Sequence, residues 1–335
     1  MKRHNDITTI ILLASLLLAG CGSYGYDSFD DQPQNVAESA SPKEITIKTD
    51  ITSMQTRATT IDDDEDLQGE DLRIDAYLNG TTTECIGNAK LKYITSAWKF
   101  VDGSDEETHY FWPIEGSVLS GNTVGAIDFV GYCPHTTPGY ISSKSYSAGN
   151  PSIVCDMSDY MTSTAQDGVT EFMWAYTGNQ TKDTNSGTVN MNFKHPFTCI
   201  KFQLAENHPD ITINTITLEE LKSGGTCSFN GSTSSWSSLT PADKTVDFVG
   251  SYDLSLSSNV SVQAIGNPFI VVPQTFGGKI KVKATWTKWD EQVAHTISTT
   301  LPSPVNWQAG YCYTYTFTIT ETDLIVKTDK YTEQW

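Results

Sequence analysis

Arginine is scarce in this chain. Of 335 residues only Arg3, Arg57 and Arg73 carry a guanidinium. Lys and Arg together number 21 against 40 Asp and Glu, a formal net charge of −19. That balance repels phosphate backbones and anionic headgroups, so no nucleic-acid partner is expected. The seven cysteines form no CxxC and no Cys/His pair at zinc spacing, and no metal or cofactor is expected. G-x-S-x-G, HExxH, P-loop and GxGxxG motifs are all missing, so the chain does not read as an enzyme. The histidines are scattered, and His195 within NFKHPF reads as a packed or turn residue rather than a base. The acidic run 62–66 fails the EF-hand template. Leu67 stands where Gly is needed and Arg73 where Glu is needed, so the run reads as a solvated loop.

Long Leu/Glu/Lys/Ala stretches at helical spacing are also missing. The chain leans instead to Thr, Ser, Gly, Val, Ile and Tyr, the residues of strands and turns. Hydrophobic residues make up 38% and aromatics 11%, enough for real cores. The length suits two domains of roughly 130–160 residues. Most of the eight tryptophans, Trp98 and Trp286 among them, sit in strand-like runs where core packing is the default.

The N-terminus is the most specific local signal. Lys2 and Arg3 precede an apolar run, ITTIILLASLLL (7–18), too short to span a bilayer permanently. It ends in Leu18, Ala19, Gly20 and Cys21, which looks like a bacterial lipobox. There Cys21 becomes the first mature residue and carries lipid, diacylglycerol and palmitate, on its thiol and new amine. The bland alternative is an ordinary secretory signal with a chance Cys. Residues 21–72 hold 13 acids against 3 bases, an acidic tether. The six remaining cysteines, Cys85, Cys133, Cys155, Cys199, Cys227 and Cys312, are even in number in an exported chain. Disulfides and small buried hydrophobes are both open readings.

Strand signals run the length of the chain. ITIKTDIT (45–52) puts Ile45, Ile47 and Ile51 on one face at period two. RIDAYL (73–78) ends at Asn79–Gly80, a turn pair. KLKYITSAWKFV (90–101), HYFWP (109–113) and AIDFVGYCP (126–134) read as strands, and 134–152 as a long surface loop. EFMWAY, TVNMNFKHPFTCIKFQL, ITINTITLEEL, FIVVPQ, KIKVKATW, YCYTYTFTIT and LIVKTDKYTEQW continue the pattern. AENHPD (205–210) marks a boundary. Turn signals every 8–15 residues predict an all-β protein of two β-sandwiches.

Taken together these segments resemble the fimbrillin family, subunits of type V pili. The resemblance rests on the lipobox, the strand followed by TSMQTRATTID, HYFWP, DFVGYCP, NFKHPFTCIKFQL, FIVVPQT, NWQAGYCYTYTFTIT and a last strand closing on Trp335. It implies two transthyretin-like or Ig-like sandwiches in tandem after a lipoprotein signal peptide. The expected divisions are signal peptide 1–20, lipid-linked leader 21–57, N-terminal sandwich 58–206 and C-terminal sandwich 207–335. It implies export to the outer membrane and cell surface, with the membrane touched only through the lipid on Cys21. An arginine-specific surface protease then cuts between Arg57 and Ala58, and the strand bearing Ile45, Ile47 and Ile51 leaves. A strand of another copy fills the groove, and Leu324, Ile325, Val326, Tyr331 and Trp335 are the donor candidates. Other pilus subunits are the expected partners, with receptors of host or bacterial origin.

From residue chemistry alone Arg57 is a solvent-exposed loop arginine. Ile325, Tyr331 and Trp335 share one parity that Lys327 and Asp329 interrupt, so the tail also reads as the last strand of its own domain. The rival function is a glycan-binding surface lipoprotein that does not polymerise, and that reading requires exposed aromatics on one face. A β-sandwich glycosidase would need two carboxylates roughly 5–10 Å apart, and nothing points to them.

Overall fold

A computed structural model describes residues 42–51, 64–160, 169–205, 211–240, 244–254, 262–276, 281–288, 293–300, 305–319 and 324–334. The described chain is almost entirely β, as the period-two patterning predicts. Its helical pieces are one short α-helix, Asp64–Gln68, and one 3-10 turn, Thr184–Gly187. Among the described residues no helix is long and apolar enough to cross a membrane.

A five-stranded sheet organises the first half. Its order in space is Met173–Gln180, Ile127–Cys133, Leu72–Leu78, Glu84–Ile94 and Ala97–Val101, all antiparallel. Every residue of Ile127–Cys133 is buried. The reason is that both faces of this sheet carry a core. Ile127, Phe129 and Cys133 belong to one hydrophobic cluster, and Val130 and Tyr132 to another. The same alternation separates Met173 and Ala175 from Phe172 and Trp174. A half-exposed strand would alternate apolar with polar; this one is apolar on both sides. One residue breaks the rule. Asp128 is buried but accepts hydrogen bonds from the Asn79 side chain, the Asn179 amide and the Tyr146 hydroxyl, which compensates its desolvation.

Three four-stranded sheets complete the frame. Gly224–Phe229 pairs with Asn150–Asp156, flanked by Ser234–Ser237 and Ile141–Ser147. Thr198–Ala205 lies between Val262–Val271 and Tyr311–Ile319, with Leu324–Gln334 at the edge. Ile211–Leu221 lies between Lys244–Leu254 and Lys281–Lys288, with Ala294–Thr300 beyond. The second cluster gathers Phe202, Leu204, Ile213, Ile216, Leu218, Trp286, Tyr315 and Phe317 from these sheets. A disulfide joins Cys199 to Cys312, which face each other across parallel strands. Cys85, Cys133, Cys155 and Cys227 are buried and form no disulfide among the described residues. Burial in apolar surroundings raises the Cys133, Cys155 and Cys227 thiols well above the usual range, which keeps them protonated and inert.

Several local expectations are corrected. The run 90–101 is not one strand. It is a hairpin that turns at Thr95 and Ser96, with φ of 51° and 64°. Both central residues are left-handed, as a two-residue hairpin turn requires, although neither is Gly or Asn. HYFWP is not a strand; Phe111 makes a single bridge to Glu44. The stretch 134–152 is not all loop. It contains Ile141–Ser147 and the start of Asn150–Asp156, a hairpin whose Ser-rich face points outward. Within the acidic run, the described residues from Asp64 form the first turn of the short helix, because Leu67 is fully buried and anchors it. Residues 206–210, where the sandwich boundary is expected, lie outside the described residues.

Candidate assembly site

Among the described residues the leader strand Thr46–Ile51 forms a ladder with Thr188–Phe193, parallel and running from Thr46 opposite Thr188 to Ile51 opposite Phe193. Its exposure alternates as the sequence pattern predicts. Ile45, Ile47 and Ile51 are 2%, 3% and 8% exposed, while Thr46, Lys48 and Asp50 face solvent. The three isoleucines enter the first cluster alongside Ile74, Leu91, Phe129 and Met191. Beneath them the partner strand buries Val189, Met191 and Phe193. Gly131 makes that approach feasible. A Cβ there would meet Phe193 Cζ at 2.9 Å and Met191 Cε at 3.0 Å.

The entry to this strand is clamped by residues that the periodicity did not single out. The Ile45 amide donates to the Tyr110 carbonyl at 2.8 Å, and the Trp112 amide donates to the Lys43 carbonyl at 2.9 Å. Lys43 Nζ donates to the Lys182 carbonyl at 2.7 Å. Glu44 Oε1 and His109 Nδ1 lie 2.7 Å apart, and this contact raises the His109 pKa. Trp112 Nε1 donates to the Gly187 carbonyl at 3.2 Å. Gly187 has φ of +80°, and a Cβ would sit 2.6 Å from Lys43 Cε. HYFWP is therefore a clasp around the first residues of the leader. In the sequence its only signals are an aromatic run and the proline that ends it.

The other predicted site residues are placed as follows. Cys21, Arg57, Ala58 and Trp335 lie outside the described residues. Leu324, Ile325, Val326 and Tyr331 lie in Leu324–Gln334, the edge strand antiparallel to Tyr311–Ile319. Ile325 is 47% exposed. Leader and tail are thus not brought into one ladder; each pairs within its own region. Arg73 sits in Leu72–Leu78, with strands bonded on both sides, and its guanidinium binds the buried Asp75 carboxylate at 2.9 Å. His195 is buried and hydrogen-bonded to buried Glu171. Trp98, Trp112, Trp174, Trp286 and Trp307 are buried and Trp236 is half-buried, so no exposed tryptophan platform exists among the described residues. Among those residues no group of three His, Cys, Asp or Glu could hold a metal ion.

A profile of the family described as Fimbrillin-like matches residues 56–335. The chain belongs to that family. Solved structures with this fold include a fimbrial protein from Bacteroides vulgatus. It is 16% identical, with TM-score 0.61, and the match covers 86% of this chain and 98% of that one. A protein described as a cell adhesion protein from Bacteroides uniformis is 19% identical, with TM-score 0.52, covering 87% and 98%. At these identities the likeness speaks for the fold. Curated protein sequences give no match. In this fimbrillin-like chain the family match begins at residue 56, so the ladder at Thr46–Ile51 precedes it.

Proposed function

We propose that this fimbrillin-like chain is a structural pilus subunit with an adhesive role, displayed at the cell surface and assembled with other pilus subunits. Membership of the family supports the coarse role, and the leader strand carries the finer reading. The precursor is held at the outer membrane by lipid on Cys21. A surface protease cuts between Arg57 and Ala58. The leader bearing Ile45, Ile47 and Ile51 is then replaced by a strand of a neighbouring copy, for which residues 324–335 are the candidate. Strand addition supplies main-chain hydrogen bonds for strength and alternate side chains for register.

The magnitudes favour replacement over simple loss. Burying each isoleucine contributes roughly 1.5–3 kcal/mol, so the three contribute about 5–9 kcal/mol before entropy is counted. A whole domain is stable by only about 5–15 kcal/mol. A leader cut at Arg57 therefore stays seated until another strand displaces it. The subunit keeps its apolar groove covered throughout, which avoids exposing an aggregation-prone edge.

The test is limited digestion of the folded precursor with an arginine-specific protease. We expect one early cut after Arg57, Arg73 being inside a doubly paired strand, followed by filaments visible by electron microscopy. A folded chain that resists cutting at Arg57, or is cut first at Arg73, refutes the processing step. Deleting residues 324–335 tests the donor. A folded monomer that no longer polymerises supports it, and an unfolded one assigns the tail to its own sheet.

A further inference from the structure

One cleft takes no part in the strand geometry. It measures about 660 Å³ and opens where the segments at 194–195, 232–239, 273–275 and 307–311 converge. That volume lies within the roughly 300–1,000 Å³ typical of small-ligand sites. Its walls are held from behind. Trp236 Nε1 donates to the Pro196 carbonyl at 2.7 Å, and Trp307 Nε1 to the Tyr315 hydroxyl at 2.8 Å. The Gly310 amide donates to the Phe197 carbonyl at 2.8 Å, and Thr198 Oγ1 to the Gln308 carbonyl at 2.7 Å. The Gln274 side chain is tied to the Lys222 amide and the Val272 carbonyl, both at 2.8 Å. A site fixed in this way loses little conformational entropy when a ligand enters.

The exposed chemistry of the cleft is specific. Trp236 and Tyr311 are half-buried rings, and Gln308, Ser232 and Thr233 are exposed amide and hydroxyl side chains. Among the described residues no Asp or Glu lines it, and Lys194 is the sole ammonium in its wall, with its pKa lowered by burial. A cationic ligand would find no carboxylate, and a polyanion would find one cation. An extended peptide would find a free strand edge only four residues long, Ser234–Ser237. Half-buried aromatic rings beside amides and hydroxyls suit a pyranose, which has an apolar C–H face and a rim of hydroxyls.

We propose that this cleft binds a short neutral oligosaccharide. This function is separate from strand exchange, and it is recessed rather than displayed on a flat aromatic platform. It also gives the amide of Gln308 a role in ligand selection: a carboxamide offers both donor and acceptor to adjacent hydroxyls.

The test uses the folded full chain on a printed array of xylo-, manno-, cello- and galacto-oligosaccharides, followed by calorimetry with the retained sugars. Two variants at exposed positions avoid disturbing the core: Gln308→Ala removes the amide, and Thr233→Trp plugs the mouth. The expected result is retention of at least one neutral oligosaccharide, with affinity falling at least tenfold in each variant. Melting temperature and filament formation should be unchanged. Failure to retain any arrayed sugar, or equal retention by both variants, overturns the assignment, as does binding confined to an acidic peptide used as control.

Discussion

The leader strand and the terminal strand are the two ends of the described chain, and among the described residues each lies at the edge of its sheet ladder. They solve that position differently. The leader is six residues, parallel to its neighbour, with Ile47 and Ile51 buried within it and Ile45 buried just before it. The tail is eleven residues, antiparallel, at the edge of a four-stranded sheet, and Ile325 on it is nearly half-exposed. A short strand holds by side-chain burial; a long edge strand holds by its ladder. The first resists leaving because departure opens a core. The second, leaving, exposes a sheet edge whose own strand, Tyr311–Ile319, is still pinned by the Cys199–Cys312 disulfide.

The comparison breaks first at that disulfide. The bridge closes a sequence separation of 113 residues. Chain-entropy arguments assign a loop of that size about 5 kcal/mol. Cys199→Ser with Cys312→Ser should lower stability by that order in denaturant titration, and should unfold a chain that also lacks residues 324–335. If the tail deletion is equally well folded with and without the bridge, the pinning role is wrong.

Next come the isoleucines. Ile47→Ala should cost about 3 kcal/mol, the range of buried large-to-small changes, while Ile325→Ala should stay within about 0.5 kcal/mol. Equal costs in thermal unfolding would erase the distinction between leader and tail.

The clasp is subtler. Gly187→Ala forces a side chain into a left-handed conformation and against Lys43, at about 1–2 kcal/mol. Gly103→Ala, where a Cβ would meet nothing, should be neutral. After proteolytic cutting, the Gly187→Ala leader should exchange faster with an added leader peptide. An unchanged exchange rate would remove the clasp from the account.

The smallest effect is the one set by pH. Glu44 raises the His109 pKa above its ordinary 6.5, chiefly by a side-chain hydrogen bond. A raised folded pKa means the contact stabilises fully below the unfolded value and is lost as pH rises through the folded one. Leader retention should therefore weaken slightly on the alkaline side of that transition. Nuclear magnetic resonance titration of Glu44→Gln should show the His109 pKa falling. A value that does not move would show that the pair has no influence.

The two ends also show how much was legible in the sequence. Ile45, Ile47 and Ile51 announced their face by parity alone, because a strand shows alternate residues to one side. The edge strand at 324–334 was legible less clearly, since Lys327 and Asp329 interrupt the parity of Ile325 and Tyr331. The clasp was not legible. Lys43, His109, Trp112 and Gly187 are scattered in sequence, and their common role is built from backbone carbonyls and a left-handed glycine, which leave no periodic trace. The hairpin turn at Thr95 and Ser96 escaped notice because it uses neither Gly nor Asn. The hairpin within 134–152 was hidden by its Ser, Gly and Pro content, since a Ser-rich outer face resembles a loop.

What the sequence determined by itself was the class of molecule: β by its period and fimbrillin-like by the order of its segments. What only the tertiary structure decided was partnership. Both faces of the Ile127–Cys133 strand are buried, the leader lies parallel on Thr188–Phe193, Cys199 meets Cys312, and four distant segments frame one cleft. The reason is physical. Periodicity records which side of a strand avoids water, a local property, whereas the identity of what covers that side depends on contacts between residues a hundred or more positions apart.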